Sequence, residues 1–181
     1  MILLFSFVLL SAVANAADEG KPAPEFRAKL LTGREFSLSK HVGQVVLIHF
    51  WATWCVPCRA EMPILNEYIK RHQTEGLKLV AVSMDKEADS DQVREAAKKF
   101  SFEIALSKNA IFKEYGRIWR LPLTFIIDRA GTLVKDGWKL DHSLTEADLD
   151  QVLSPLLQQV QSDSKIQKGQ TFRHYPSQSH Y

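Results

Sequence analysis

The chain has 181 residues, which is enough for one ordinary domain, and 45% of them are hydrophobic while 24% are charged. Such a composition excludes an intrinsically disordered chain. The formal net charge is only +2 and no basic stripe is present, so nothing indicates nucleic-acid binding. Neither internal repeats nor a second domain can be recognised. The only two cysteines are Cys55 and Cys58, so no structural disulfide is available elsewhere.

The first sixteen residues have the pattern of an export signal. Residues 2–10 form a hydrophobic block, and small residues follow it up to an Ala-x-Ala pattern at positions 14–16. The block is short for a membrane span. We therefore predict a signal peptide over residues 1–16, cut before Ala17, and a periplasmic location. An uncleaved anchor that faces the periplasm is the alternative, and it would give weak membrane association.

Two short strands and one long strand are predicted next. Residues 26–31 and 35–38 are predicted to form a hairpin that turns at residues 32–33. Residues 45–51 are almost continuously apolar, and many are β-branched or aromatic, which is typical of a strand covered on both faces. Apolar residues at helical spacing then predict a helix that ends near Gly76.

The two cysteines lie where this buried strand passes into that helix. At a helix N-terminus the unpaired N–H groups and the helix dipole favour an anion, and hence the thiolate of Cys55. We predict that Cys55 is exposed there and that Cys58, one turn later, points inward. Pro57 fits an early helical position, where its missing N–H costs nothing. A structural zinc site is the alternative for Cys-x-x-Cys, but it requires two further ligands and no third cysteine exists. No metal or cofactor is predicted.

Residues 50–63, Phe-Trp-Ala-Thr-Trp-Cys-Val-Pro-Cys-Arg-Ala-Glu-Met-Pro, resemble the active-site signature of the thioredoxin superfamily. Glu61 and Pro63 make them similar to the extracytoplasmic thiol–disulfide oxidoreductases of the TlpA/ResA type, including those of cytochrome c maturation. The resemblance covers about residues 22–155. It implies an α/β, thioredoxin-like fold over residues 22–160, with a central mixed β-sheet flanked by helices and an N-terminal β-hairpin extension.

Further elements follow the active-site helix. Residues 77–83 predict a second core strand, parallel to the first, and Asp89 to Asp91 offer N-caps for a helix that ends near Lys99. Residues 104–106 are interpreted as a short edge segment, and residues 110–115 as a helix closed by Gly116. A hairpin is predicted at residues 130–131.

Residues 120–128 are the second stretch that carries the resemblance. In thioredoxin-like proteins the proline that matches Pro122 is cis and packs beside the catalytic disulfide. The resemblance thus implies that Leu121 presents its backbone to an incoming peptide. Two features depart from the family pattern: the segment from 115 to 122 is about one residue longer, and Leu-Thr follows Pro122 where Thr-Thr or Glu-Thr is usual.

The last helix is predicted to start with a capping box formed by Thr145 and Asp148, and Pro155 is expected to end or kink it. From about residue 161 the chain is rich in Gln, Ser and Lys without apolar periodicity, so residues 161–181 are predicted to be a flexible polar tail. Two histidines in this tail, His174 and His180, could bind a metal.

The roles expected at the site follow from chemistry and from the resemblance. Cys55 is the predicted nucleophile on a substrate disulfide, and Cys58 the residue that resolves the mixed disulfide. Trp54 and Pro57 are expected at the rim, in contact with substrate. Glu61 is either a solvated helix residue or, as the resemblance implies, a proton acceptor for Cys58. His49 stands where thioredoxin has a buried acid, and it is either a proton relay or a hydrogen-bonded core imidazole.

The sequence favours a thiol–disulfide oxidoreductase that works as a reductant, because Val56 and Pro57 place no cation beside the Cys55 thiolate. Its partners would be disulfides of exported proteins, such as apocytochrome c, and a membrane dithiol that donates electrons. One alternative is a Cu(I)-handling protein that uses the same two sulfur atoms. Another is a binding module whose cysteines are vestigial.

Overall fold

The computed structural model describes residues 17–140 and 143–169. The predicted signal peptide and the end of the predicted tail lie outside the described residues. Within the described part of the chain, no helix is both long and apolar enough to cross a bilayer.

Seven strands form one mixed sheet in the order β2-β1-β5-β4-β3-β6-β7. Strand β3 is parallel to β4, and β4 to β5, while the other neighbouring pairs are antiparallel. The strands are β1 (Arg27–Leu30), β2 (Glu35–Ser37), β3 (Val45–Trp51), β4 (Leu77–Ser83), β5 (Glu103–Ile111), β6 (Leu123–Ile127) and β7 (Leu133–Lys135). The predicted N-terminal hairpin and the predicted parallel pair are both confirmed.

In the described residues, three α-helices accompany the sheet: α1 (Val56–His72), α2 (Ser90–Ala97) and α3 (Glu146–Gly169). Every residue of β3 is buried, as predicted, and its side chains alternate between two apolar clusters. Buried side chains from all three helices share one cluster with Leu47 and Trp51. The other cluster contains Ile48 and Phe50 and is covered by the N-terminal hairpin and by loops.

Two predictions for residues 104–115 were wrong. Strand β5 is a long interior strand between β1 and β4, not a short edge segment. Its second half is polar because only residues 104–106 of this strand are buried, so the apolar pattern marks less than half its length. Instead of a helix over residues 110–115, the strand extends to Ile111, and one 3₁₀ turn, Lys113–Tyr115, follows before Gly116.

The capping box of the last helix is confirmed. The Thr145 N–H donates to Asp148 Oδ2 at 2.8 Å, and the Asp148 N–H donates to Thr145 Oγ1 at 3.3 Å. Helix α3 does not end at Pro155, one of the two outcomes expected there, but continues to Gly169, into the segment predicted as a flexible polar tail. Gln and Lys are good helix formers, which explains how a segment without apolar periodicity is helical.

Candidate active site

The cysteine pair lies at the N-terminus of α1, immediately after β3. Cys55 is the N-cap residue, its Sγ accepts from the Cys58 N–H at 3.2 Å, and Pro57 occupies the first turn as predicted. The two cysteines form a disulfide with an S–S length of 2.03 Å and a Cα–Cα distance of 5.3 Å. The backbone N–H groups and the helix dipole therefore act on Cys55 more directly than on Cys58.

Both cysteines are buried in this oxidised form. Cys58 is 0% exposed, which agrees with the prediction that it points inward. Cys55 is 5% exposed, so the prediction that it is exposed was wrong for this state. The reason is the disulfide itself, which holds the Cys55 sulfur against Cys58 and the apolar cluster below. Of the two cysteines, Cys55 is still the more exposed.

The residues on either side of Cys55 in the sequence have exposed apolar side chains. Trp54 is 66% exposed and Val56 is 65% exposed, which places Trp54 at the surface and not in the core. The Leu121–Pro122 peptide bond is cis, as the resemblance implied. Pro122 lines the same small cavity, of about 10 Å³, as Glu61 of helix α1. The loop before β6 and the active-site helix therefore line one cavity together.

Glu61 is a buried carboxylate, not a solvated helix residue. It lies one turn after Cys58 on α1 and is 2% exposed. Apart from Pro122 and Thr124, its small cavity is lined by three leucines: Leu123, Leu140 and Leu144. Burial of a carboxylate beside a buried cysteine is the arrangement that a local proton acceptor requires.

His49 lies beneath Glu61, on the face of β3 that α1 covers. Its Nδ1 is 2.9 Å from Thr124 Oγ1, within hydrogen-bond distance, and 3.9 Å from Glu61 Oε1. Burial lowers the pKa of His49 from 6.5 to about 3, so the imidazole is neutral near pH 7. Despite the short distance to Glu61, the two therefore do not form an ion pair at that pH. His49 is a hydrogen-bonded core imidazole, and any relay role would have to use its neutral form.

Sequence reasoning missed Asp85, which lies just beyond the end of β4 and is 8% exposed. Its carboxylate accepts hydrogen bonds from the Thr53 N–H at 3.0 Å and from the hydroxyls of Thr53 and Ser83. Asp85 therefore holds the loop that leads from β3 into Cys55. The sequence contained part of a signal for this role, because residues 45–51 and 77–83 were predicted as parallel strands, and the carboxyl ends of parallel neighbours meet at one edge. The register that pairs Ser83 with Trp51 is seen only in the structure.

Within residues 17–140 and 143–169, no group of three or more His, Cys, Asp or Glu side chains is placed to hold a metal ion. From this part of the chain, a Cu(I) ion at this site would therefore be bound by the sulfur atoms of Cys55 and Cys58. Among the described residues, the zinc and Cu(I) alternatives therefore gain no cluster of His, Cys, Asp or Glu ligands.

Comparison with known proteins agrees with this geometry. Residues 20–136 match the AhpC/TSA family. Thiol-disulfide oxidoreductase ResA of Bacillus thuringiensis subsp. konkukian (strain 97-27) is 35% identical over 124 residues, which cover 65% of this chain and 68% of that protein. Sporulation thiol-disulfide oxidoreductase A of Bacillus subtilis (strain 168) is 32% identical over 140 residues, covering 74% and 84% respectively.

The fold is also found among solved structures. The crystal structure of a thiol:disulfide interchange protein of the thioredoxin family from Chlorobium tepidum TLS superposes with a TM-score of 0.65 at 22% identity. The match covers 78% of this chain and 99% of that one, which shows that the fold is thioredoxin-like. Together with the matches in sequence, this shows that the chain belongs to the AhpC/TSA family and is a thioredoxin-like thiol–disulfide oxidoreductase of the ResA type.

Proposed function

We propose that this oxidoreductase works outside the cytoplasm as a reductant of disulfides in exported proteins, for example in cytochrome c maturation. The observation that carries the proposal is the start of α1, where Cys55 is the N-cap and only Val56 and Pro57 separate it from the buried Cys58. Neither intervening residue is a cation that would overstabilise the Cys55 thiolate, a device of strong oxidants.

The reaction uses the two cysteines in turn. In the reduced protein the Cys55 thiolate attacks one sulfur of the substrate disulfide, and the other substrate sulfur leaves as a thiolate. Cys58 then attacks the Cys55 sulfur of the mixed disulfide, releases the second substrate thiol and forms the Cys55–Cys58 bond. Two electrons have passed to the substrate, and the disulfide form described here is the product.

Glu61 and the rim residues have supporting roles in this scheme. Glu61 takes the proton of Cys58 as that sulfur attacks, since it is the buried carboxylate one turn further along α1. Trp54 and Pro57 contact the substrate beside Cys55, and the backbone of Leu121, next to the cis Pro122, pairs with an extended substrate segment. The hydrogen bond between His49 and Thr124 fixes the imidazole in its position next to Glu61.

The first residues of the chain support a periplasmic location, and this location determines how the oxidised protein can be reduced again. The hydrophobic block at residues 2–10 and the Ala-x-Ala pattern support export to the periplasm, with a retained membrane anchor as the alternative. A glutathione pool does not maintain thiols in that compartment. The oxidised protein must therefore be reduced again by a dithiol of a membrane protein.

Two measurements test the proposal. With Cys58→Ser in cells, the mixed disulfide with Cys55 cannot be resolved, and we expect disulfide-linked exported proteins that mass spectrometry can identify. Equilibrium with glutathione should give a potential of roughly −200 to −300 mV for the Cys55–Cys58 couple. A potential near that of strong oxidants, about −120 mV, would overturn the assignment as a reductant.

A further inference from the structure

A groove runs along the active-site helix α1, between it and the end of α2. Its volume is about 490 Å³, which lies in the range of sites that take ligands. At one end it is lined by Thr53 and Arg59, which flank the two cysteines in the chain, and Lys70 lines it further along α1. At about 1.5 Å per residue along α1, Arg59 and Lys70 are ~16 Å apart, so the groove leads away from the active site.

The floor of the groove is apolar. Trp51, the last residue of β3, and Met62 of α1 line it and are 2% and 0% exposed. Phe100, which follows α2, lies edge-to-face against the Trp51 ring with the centroids 6.5 Å apart. Phe100 is only partly buried, so its ring offers contact to an apolar group that enters the groove.

The charges around the groove are unbalanced. Three cations line it, Arg59, Lys70 and Lys99, together with a single carboxylate, Glu67. Glu67 is bound by Lys70 at 2.9 Å, and this contact lowers the pKa of the Glu67 carboxyl. Arg59 and Lys99 form no ion pair with any carboxylate in the part of the chain described. Two positive charges therefore face the groove outside any close ion pair, although Lys99 also lies within the electrostatic reach of Glu95.

We propose that this groove binds an acidic, partly apolar segment of the protein whose disulfide is being reduced. The proposal rests on the proposed reductase function and adds the class of substrate. An extended chain advances about 3.3 Å per residue, so roughly five residues beside the substrate cysteine fill the ~16 Å from Arg59 to Lys70. Carboxylates of that segment pair with Arg59 and Lys99, and an apolar side chain packs against Phe100.

Two synthetic peptides test this proposal. Each carries one cysteine in a disulfide with a small neutral chromogenic thiol, flanked on both sides by five residues. One peptide has Asp and Glu with a Phe in its flanks, and the other has Lys with the same Phe. The reduced protein should reduce the acidic peptide with a kcat/KM about three- to tenfold higher at low salt. The ratio should approach one at 0.5 M salt, where screening is strong.

Adjacent lysines provide a matched pair of variants. Lys99→Glu and Lys98→Glu make the same change of charge at neighbouring positions, but Lys98 does not line the groove and pairs with Glu95. Lys99→Glu should remove or reverse the preference for the acidic peptide, with each rate normalised to that protein's own rate on a neutral disulfide. Lys98→Glu should keep the preference. Equal rates for the two peptides with the wild type, or equal losses in the two variants, would overturn the proposal.

A neutral disulfide, bis(2-hydroxyethyl) disulfide, separates this proposal from the function on which it rests. If the wild type reduces this compound but does not distinguish the two peptides, the groove does not select acidic substrates and the reductase function stands. If the reduced wild type transfers no electrons to this compound or to either peptide, the reductase function itself fails.

Discussion

Two buried carboxylates lie close to the cysteine pair, and their surroundings differ. Asp85 accepts hydrogen bonds from the backbone and hydroxyl of Thr53 and from the hydroxyl of Ser83. Glu61 lies in a small cavity lined mainly by apolar side chains, and the nearest imidazole, that of His49, is neutral. Asp85 binds the loop that precedes Cys55, whereas Glu61 lies on helix α1, one turn after Cys58.

Because their surroundings differ, we expect Asp85 and Glu61 to have different roles. A carboxylate whose oxygens accept several hydrogen bonds fixes the groups that donate to it. A buried carboxylate one turn from a buried thiol is placed to exchange a proton with it. We therefore expect Asp85 to matter for the stability and position of the loop, and Glu61 for proton transfer.

Replacement of Asp85 should have the largest effect on stability. Asp85→Ala leaves three buried or half-buried donors of Thr53 and Ser83 without their acceptor, so the free energy of unfolding should fall by about 3 kcal/mol. Urea unfolding of the oxidised protein measures this change. Asp85→Asn keeps one acceptor oxygen and should lose less. A loss below about 1 kcal/mol for the Ala variant would show that Asp85 does not hold the loop.

Replacement of Glu61 should change the rate and leave stability nearly unchanged. Glu61→Gln keeps the shape but cannot take a proton, so the attack of Cys58 on the mixed disulfide should slow by about 10²-fold, and its pH profile should move. Stopped-flow measurement of substrate release gives this rate. Glu95→Gln, an exposed carboxylate of α2, is the control. Identical rates for Glu61→Gln and the wild type at every pH would exclude a role as proton acceptor.

The lowered pKa of the buried His49 should make the free energy of unfolding depend on pH. Because its pKa is lowered to about 3 when folded, the unfolded state binds a proton below pH 6.5 while the folded state does not. Stability is therefore lost as the pH falls from 6.5 towards 3. Between pH 7.5 and 5.0 the loss from this group should be about 2 kcal/mol. Urea unfolding at both pH values should show a smaller loss for His49→Gln, and equal losses would contradict the assignment of a neutral buried imidazole.

Thr53→Val should have the smallest effect of the four. The substitution keeps the shape and the backbone N–H that donates to Asp85 but removes the hydroxyl donor, so the unfolding free energy should fall by about 1 kcal/mol. The double variant with Asp85→Ala tests the contact directly. If the two losses simply add, Thr53 and Asp85 do not act as a pair.

Much of the backbone around the site could be predicted from local patterns. The apolar run of β3, the cysteines at the start of α1 and the capping box of α3 each depend on residues adjacent in the chain. Strand β5 could not be recognised in full, because its polar half is held in the sheet by pairing with β1. The paired residues of β1 and β5 are far apart in the sequence, so no local pattern can indicate this contact.

The chemistry of this protein can be derived from local sequence alone, because a Cys-x-x-Cys pair at a strand-to-helix junction requires only neighbours within a few residues. The side chains that support this chemistry could be identified only once the fold was known. Glu61 is buried because β3 and the leucines that line its cavity close around that turn of α1. Asp85 reaches Thr53 because β3 and β4 are parallel neighbours that end at the same edge. Burial and proximity of this kind depend on strand order, and strand order is a property of the whole chain.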